Sequence, residues 1–218
     1  VYPDIELRKK VAIEQAGASS EAEAIKDPNK QKTYYRFMAA SEVPMAGFIS
    51  EDGTYQKGIE DYIKKEAWEN DKYQYSIVDH IMKHWMTLSR NNKFHAIFAT
   101  SSIPEAIRYY KKFRERYKDL RVTGLFDPTI DNAGGDRSLE KEDGIVEMLK
   151  DYNTWYGTNW DIARYAKFKL EVSDRLAHKG QFIRIKPEFK LDLLIVVNQM
   201  LTGFDSKWVN TLYLDKVM

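Results

Sequence analysis

The run Phe94-His95-Ala96-Ile97-Phe98-Ala99-Thr100-Ser101-Ser102-Ile103-Pro104-Glu105-Ala106-Ile107 decides how this chain folds. Its first six residues are largely apolar and do not alternate with polar ones, the pattern of a strand covered on both faces. Ile103, Ala106, Ile107, Tyr110 and Tyr117 then recur at helical spacing and predict a helix over 103–117. Ser102 and Glu105 form a capping-box pair, and Pro104 falls in the first turn, where a missing N–H costs nothing. Strand followed at once by helix is half of a βαβ unit. The pattern repeats downstream: strands over 121–126, 191–197 and 211–214, helices over 139–155 and 161–178, and a Pro128 and Gly134-Gly135 loop over 127–137. The expected fold class is α/β, with a largely parallel sheet of at least four strands.

Upstream of Asn91-Asn92 strand-like runs are missing. Helices are predicted over 5–16, 21–26, 30–40, 59–70 and 73–90, the last with Ile77, Ile81, Trp85 and Leu88 on one face. Ser20 with Glu23 predicts a second capping box, and residues 44–58, punctuated by Gly47, Gly53 and Gly58, predict a loop or irregular hairpin. The domains expected are therefore a mainly helical segment over 1–92 and an α/β domain over 93–218.

The chain has 218 residues, 43% of them hydrophobic, which is enough for one packed α/β domain with a helical appendage but not for two large lobes. Its 34 basic and 33 acidic residues nearly cancel, so nucleic-acid contact must come from a local arrangement. Cysteine is absent, which excludes disulfides, Cys-based zinc sites and thiol nucleophiles and makes a cytoplasmic location the expectation. The opening Val1-Tyr2-Pro3-Asp4 resembles neither a translation start nor a signal peptide, so the chain reads as an excised fragment.

In parallel sheets, ligands gather outside the carboxyl ends of strands, where helix N-termini offer unpaired N–H groups. Two turns fit. Thr100-Ser101-Ser102 presents three hydroxyls at a helix N-terminus, suited to a phosphate, although plain N-capping by Ser102 accounts for the same residues. Asn198 through Asp205 follows the most apolar strand: Gly203 permits close backbone approach and Asp205 can accept a hydrogen bond from a ribose hydroxyl, while an ordinary loop explains them equally. The two turns are expected to lie at neighbouring strand tips and to form one half of a jaw. His80 and His84 are four apart but lack a third ligand and the glutamate a zincin needs, so no metal site is assigned. The basic run Lys111, Lys112, Arg114, Arg116, Lys118 and Arg121 reads as a solvated helix face, and Tyr152, Trp155, Tyr156 and Trp160 read as packing anchors. No Gly-Lys-Ser/Thr phosphate loop, no strand ending in Asp-Glu and no GxGxxG are present.

Leu191 through Asp205, with its Leu201-Thr202-Gly203-Phe204-Asp205 core, followed by Asn210 through Lys216, resembles helicase motif V of the restriction (motor) subunit of type I restriction-modification enzymes. Phe94 to Phe113 resembles the motif IV strand and helix, and Asp151-Tyr152-Asn153 with Tyr156-Gly157-Thr158-Asn159 resembles a segment between the motifs. The resemblance covers roughly residues 73–218. It implies a superfamily 2 motor whose second RecA-like lobe is this chain: a parallel sheet flanked by helices, ending before the motif VI arginines.

The full-length parent would translocate double-stranded DNA with ATP and Mg2+ and cut it as a type I site-specific deoxyribonuclease. Its partners would be the first RecA-like lobe and nuclease domain of the same parent, and the modification and specificity subunits. Carried over by position, Thr100, Ser101, Ser102, Asn198 and Thr202 would contact nucleic acid, and Gly203 and Asp205 the nucleotide, with no catalytic residue in this chain. The fragment alone is expected to be inactive and to hold no cofactor tightly. Residues 179–190 read as an insertion, and faces meant for the other lobe are expected to promote self-association. Two readings compete: a stand-alone α/β module for a phosphorylated ligand or a protein partner, and a lobe of another superfamily 2 motor without a nuclease.

Overall fold

A computed structural model describes residues 4–64, 70–126, 138–197 and 205–215. The chain divides into two compact units, Val1–Tyr73 and Gln74–Met218.

The first unit carries helices α1 (Asp4–Gln15), α2 (Glu21–Lys26) and α3 (Pro28–Met38), then a hairpin of two short antiparallel strands, β1 (Phe48–Ile49) and β2 (Tyr55–Gln56). Its core is Val11, Ala12, Ala24, Tyr34, Phe37, Val43 and Ile59. Arg8, buried beside it, donates to the carbonyls of Phe37 (2.8 Å) and Val43 (2.6 Å), which secures the end of α3 and the chain after it. The hairpin reading of 44–58 holds. A helix over 59–70 is not what forms: Ile59–Tyr62 is a short 3-10 turn that ends at Ile63. Its opening N–H groups, from Ile59 and Glu60, bond the carbonyls of Pro44 and Met45, and the Asp61 carboxylate takes the Gly58 N–H and the Tyr55 hydroxyl, so the turn is tied to the hairpin. Residues 65–69 lie outside the described residues. Gly58 is required by proximity, since a Cβ there would sit 2.3 Å from the Ala46 carbonyl carbon.

The second unit is a four-stranded parallel sheet: β3 (His95–Thr100), β4 (Val122–Leu125), β5 (Leu193–Val197) and β6 (Val209–Leu214), in the spatial order β4-β5-β3-β6. Around it lie helices α4 (Asp71–Leu88), α5 (Ile103–Arg116), α6 (Ser138–Tyr156) and α7 (Tyr165–Ala177). The α/β class with a parallel sheet, as expected of a RecA-like lobe, is what the chain builds. β3, β4 and β5 are buried along their whole length, which is why they read as continuous apolar runs, whereas β6 alternates half-buried and exposed residues as an edge strand does. α6 meets α5 closely at Gly144, where a Cβ would lie 2.7 Å from Ile107 side-chain atoms.

Val78, Ile81 and Trp85 of α4 belong to the sheet's core, so this helix, grouped by sequence with the segment before residue 92, falls almost wholly within the second unit. Leu88, assigned to its buried face, is exposed, because the helix ends there and the chain turns. The glycine loop over 127–137 is outside the described residues. Among the described residues no helix is long and apolar enough to cross a membrane.

Candidate functional site

In the strand order β5 lies between β3 and β4, and β3 lies between β5 and β6, so the chain leaves these two adjacent strands in opposite directions across the sheet. This is a topological switch point, where open α/β sheets bind ligands. Thr100 and Val197, the last residues of β3 and β5, are register partners there, and the Ser101-Ser102 turn leaves beside the point where Asn198 begins. Asn198, Thr202 and Gly203 themselves lie outside the described residues.

The three hydroxyls at this end are not equivalent. Thr100 is buried and its Oγ1 donates to the Val196 carbonyl at 3.1 Å, so its side chain locks β3 to β5. Ser102 is the N-cap of α5, with extended backbone and its Oγ accepting from the Glu105 N–H at 3.4 Å. Its own O–H remains a donor for an incoming anion. Ser101 donates both its N–H (2.8 Å) and its hydroxyl (2.7 Å) to the carboxylate of Glu105, which is almost fully buried. The carboxylate thus reaches one residue beyond the capping partner that spacing predicts. The same offset occurs at α2, where Glu23 takes the N–H and hydroxyl of Ser19 while Ser20 caps. Sequence named Glu105 only as a cap, yet it places a negative charge where Ser101 would meet a phosphate, so Ser101 engages one only by releasing Glu105. Ser102→Ala is expected to lower the unfolding free energy of the second unit by about 1 kcal/mol; urea melts that leave it unchanged would remove the cap from Ser102's role.

A second buried polar group sits beside this turn. Asp215, at the end of β6, bonds the Ala99 carbonyl through its N–H (3.4 Å) and accepts the Tyr109 hydroxyl at 2.7 Å. It lies in the Asn210 through Lys216 stretch that carries the family resemblance, although no role was read for it there.

Asp205 lies at the other end of the sheet. The next residue, Ser206, donates its hydroxyl to the Leu176 carbonyl at the end of α7 and accepts the Trp208 N–H, and the Trp208 carbonyl takes the His95 N–H at the start of β3. Ser101 follows the last residue of that same strand. The expected single jaw is therefore not built. Parallel strands put the residues before β6 and those after β3 at opposite edges, and Asp205 belongs with the former. Asp205 itself is exposed.

Near Asp205, sequence reasoning missed a histidine pair. His95 is buried; its Nδ1–H donates to the Leu191 carbonyl, which leaves Nε2 to accept from His178 Nε2 at 2.8 Å. Burial pushes the His95 imidazole down to about 4. His178 is lowered too, by desolvation and then by Lys190 and Lys207. His95 had no sequence signal because it stands within an apolar run.

The remaining candidates serve packing or ion pairing. Arg116 binds Asp79, Arg114 binds Asp151 at 2.8 Å, and Lys112 lies over the Tyr75 ring. Tyr152 and Tyr156 stack edge-on at 4.5 Å, and Trp160 packs on Phe168. Asn153 staples the Thr158–Trp160 turn, accepting from the Trp160 N–H and the Thr158 hydroxyl and donating to the Trp160 carbonyl. The rings of His80 and His84 are 4.8 Å apart, and among the described residues no group of three His, Asp or Glu side chains is arranged for a metal.

Comparison with known proteins agrees with this architecture. The model of the type I restriction enzyme subunit R domain 3 family matches residues 92–218. A type I restriction enzyme endonuclease subunit of Staphylococcus aureus strain MRSA252 is 33% identical over 173 residues, covering 77% of this chain and 18% of that protein. A second, from Staphylococcus saprophyticus, is 34% identical over 158 residues, covering 69% of this chain and 16% of its own length. The chain thus spans less than a fifth of these relatives. With the domain match extending over more than half its residues, the chain belongs to the type I restriction enzyme subunit R domain 3-like family.

Proposed function

We propose that this chain is the second motor lobe of a type I restriction enzyme R subunit, moving double-stranded DNA at the expense of ATP in a parent protein that also cleaves it. The observation that carries the reading is the divergence of β3 and β5 in a sheet of this family, which sets Ser101-Ser102 beside the strand leading into Asn198. Ser102, with its spare O–H, and the exposed Ser101 contact a DNA phosphate at that end, together with Asn198 and Thr202. Thr100 supports them by holding the strand ends together rather than through its own buried hydroxyl. Asp205, at the opposite end of the sheet, belongs to the nucleotide surface, and Gly203, two residues earlier in the sequence, is assigned to it with Asp205.

The two surfaces are therefore joined through the sheet, and closing the lobe on a nucleotide moves the DNA-contacting end as part of one rigid body. The exposed carboxylate of Asp205 fits a sugar hydroxyl. Among the described residues no acidic cluster fits magnesium, and the sequence has no phosphate loop. ATP phosphates and Mg2+ are accordingly assigned to the rest of the parent, as are the nuclease centre and the contacts with modification and specificity subunits. The setting proposed is the cytoplasm.

The test uses the full-length subunit assembled with those partners. Asp205→Asn is expected to raise the KM for ATP several-fold while DNA binding persists, and Ser101→Ala with Ser102→Ala to slow translocation with that KM unchanged. The purified 218-residue chain is expected to turn over no ATP. Swapped phenotypes, or ATP hydrolysis by the isolated chain, would refute the assignment.

A further inference from the structure

Three neighbouring strands, β5, β3 and β6, are each preceded by basic residues: Lys190 before β5, Arg90 and Lys93 before β3, and Lys207 before β6. Strand spacing of about 4.8 Å brings these three starts within about 10 Å of one another across the sheet. The side chains connect accordingly. Lys190 Nζ donates to the Lys93 carbonyl at 3.2 Å; Arg90 and Lys93 lie 5.7 and 5.5 Å from the Phe94 ring centroid; Lys207 lies 5.6 Å from that of Trp208. Phe94 and Trp208 are 6.4 Å apart, and His178 stacks on Trp208 at 4.2 Å.

The turn that delivers Arg90 is unusual. Arg90, Asn91 and Asn92 are all left-handed, with φ of 50, 57 and 59°, where isolated residues are the rule. It is held by Trp85 Nε1–H to the Asn92 side-chain oxygen (2.6 Å), Asn92 N–H to Ser89 Oγ (3.0 Å) and Asn91 N–H to the Met86 carbonyl (2.8 Å). Such strain persists only when its surroundings over-determine it.

Among the described residues none of these four cations has a carboxylate within ion-pair distance, in contrast to Lys111, Arg114 and Arg116 on α5. The acidic groups nearest these cations in sequence are Glu188, exposed two residues before Lys190, Asp205, exposed two residues before Lys207, and Asp192, largely buried, which accepts the Arg121 N–H. Lys190 and Lys207 both disfavour a charge on His178, so their positive potential is felt inside the cluster.

We propose that this basic and aromatic edge, Arg90, Lys93, Lys190 and Lys207 around Phe94 and Trp208, binds the phosphate backbone of duplex DNA, as a second contact at the end of the sheet opposite Ser101. The cations supply charge to a polymer that carries one negative charge per about 1.7 Å of its axis, and they are supported on rings that fix their stems. The Trp208 indole N–H adds a neutral donor. Lys190 belongs to the 179–190 segment that reads as an insertion, which gives that segment a role.

Binding of the 218-residue chain to a short labelled DNA duplex is followed by fluorescence anisotropy over a series of salt concentrations. Combining Arg90→Gln, Lys93→Gln and Lys207→Gln is expected to weaken binding and to flatten the slope of log K against log salt by up to about 2.7, at about 0.9 for each phosphate no longer neutralised. Thermal melting checks that the variant is folded, and Lys207→Gln alone should move the slope by about one third as much. Lys111→Gln with Lys118→Gln, on the other basic run, should leave it unchanged. An unaltered slope in the triple variant, an equal loss in the control, or no binding by the wild-type chain at low salt overturns the proposal. Displacement of the duplex by polyglutamate at equal charge concentration also overturns it, assigning the edge to an acidic protein. None of these outcomes touches ATP hydrolysis or translocation by the parent, so failure here is separable from failure of the motor assignment.

Discussion

Replacing Arg175 by Met is expected to destabilise the second unit by about 3–5 kcal/mol, the cost of leaving a buried charge without its partner. Arg175 is nearly inaccessible. It donates to Glu171 at 3.0 Å, to the Tyr152 hydroxyl at 2.8 Å and to the Phe189 carbonyl at 2.7 Å, and its guanidinium lies 3.6 Å from the Tyr156 ring centroid and 4.4 Å from that of Phe182. Glu171 is almost as buried, and Arg175→Met leaves its carboxylate, among the described residues, with the Tyr152 hydroxyl alone. Adding Glu171→Leu removes the orphaned charge, so the double variant should recover most of the loss even though it lacks the same ion pair. Urea unfolding, read on the transition of the second unit, distinguishes the cases. A loss below about 1 kcal/mol in the single variant would mean that water reaches the pair, contrary to the packing described.

The second large effect is one of pH. His95 has an ordinary value near 6.5 when unfolded and about 4 when folded, first because it is buried. Between those values the unfolded chain binds the proton and the folded one does not, so stability is intact above about 6.5, declines as pH falls, and stops declining once the folded imidazole also protonates. The total comes to about 3 kcal/mol. Protonation also turns Nε2 into a donor facing His178 Nε2, whose own N–H already points at it. His95→Gln should remove most of that decline while carboxylate titrations below pH 5 persist. If wild type and variant lose stability in parallel between pH 6.5 and 4.5, the cause lies elsewhere.

Local rules revealed the elements but not every partner. α5 was legible from both ends, because Ser102 and Pro104 open it and its apolar period closes on the sheet. Among the described residues of the helix expected over 59–70, a short 3-10 turn forms over Ile59–Tyr62, and its orphan N–H groups are satisfied by the loop carbonyls of Pro44 and Met45, contacts that periodicity cannot report. The aromatic anchors Tyr152 and Tyr156 were placed correctly, since rings at helical spacing next to a core pattern bury. No sequence pattern marks Arg175; its burial depends on Glu171 one turn earlier and on the chain returning over it at Phe189.

The sequence by itself determined that β3, β4 and β5 are buried strands of a largely parallel sheet, because apolar runs separated by amphipathic helices are covered on both faces. It also carried the family, through residues around 94–113 and 191–205. Only the tertiary structure decided which ends meet. Strand order is set by how crossover helices pack, and no local pattern encodes it, so the separation of Asp205 from Ser101 and the gathering of Arg90, Lys93, Lys190 and Lys207 at one edge emerge only when β6 docks beside β3.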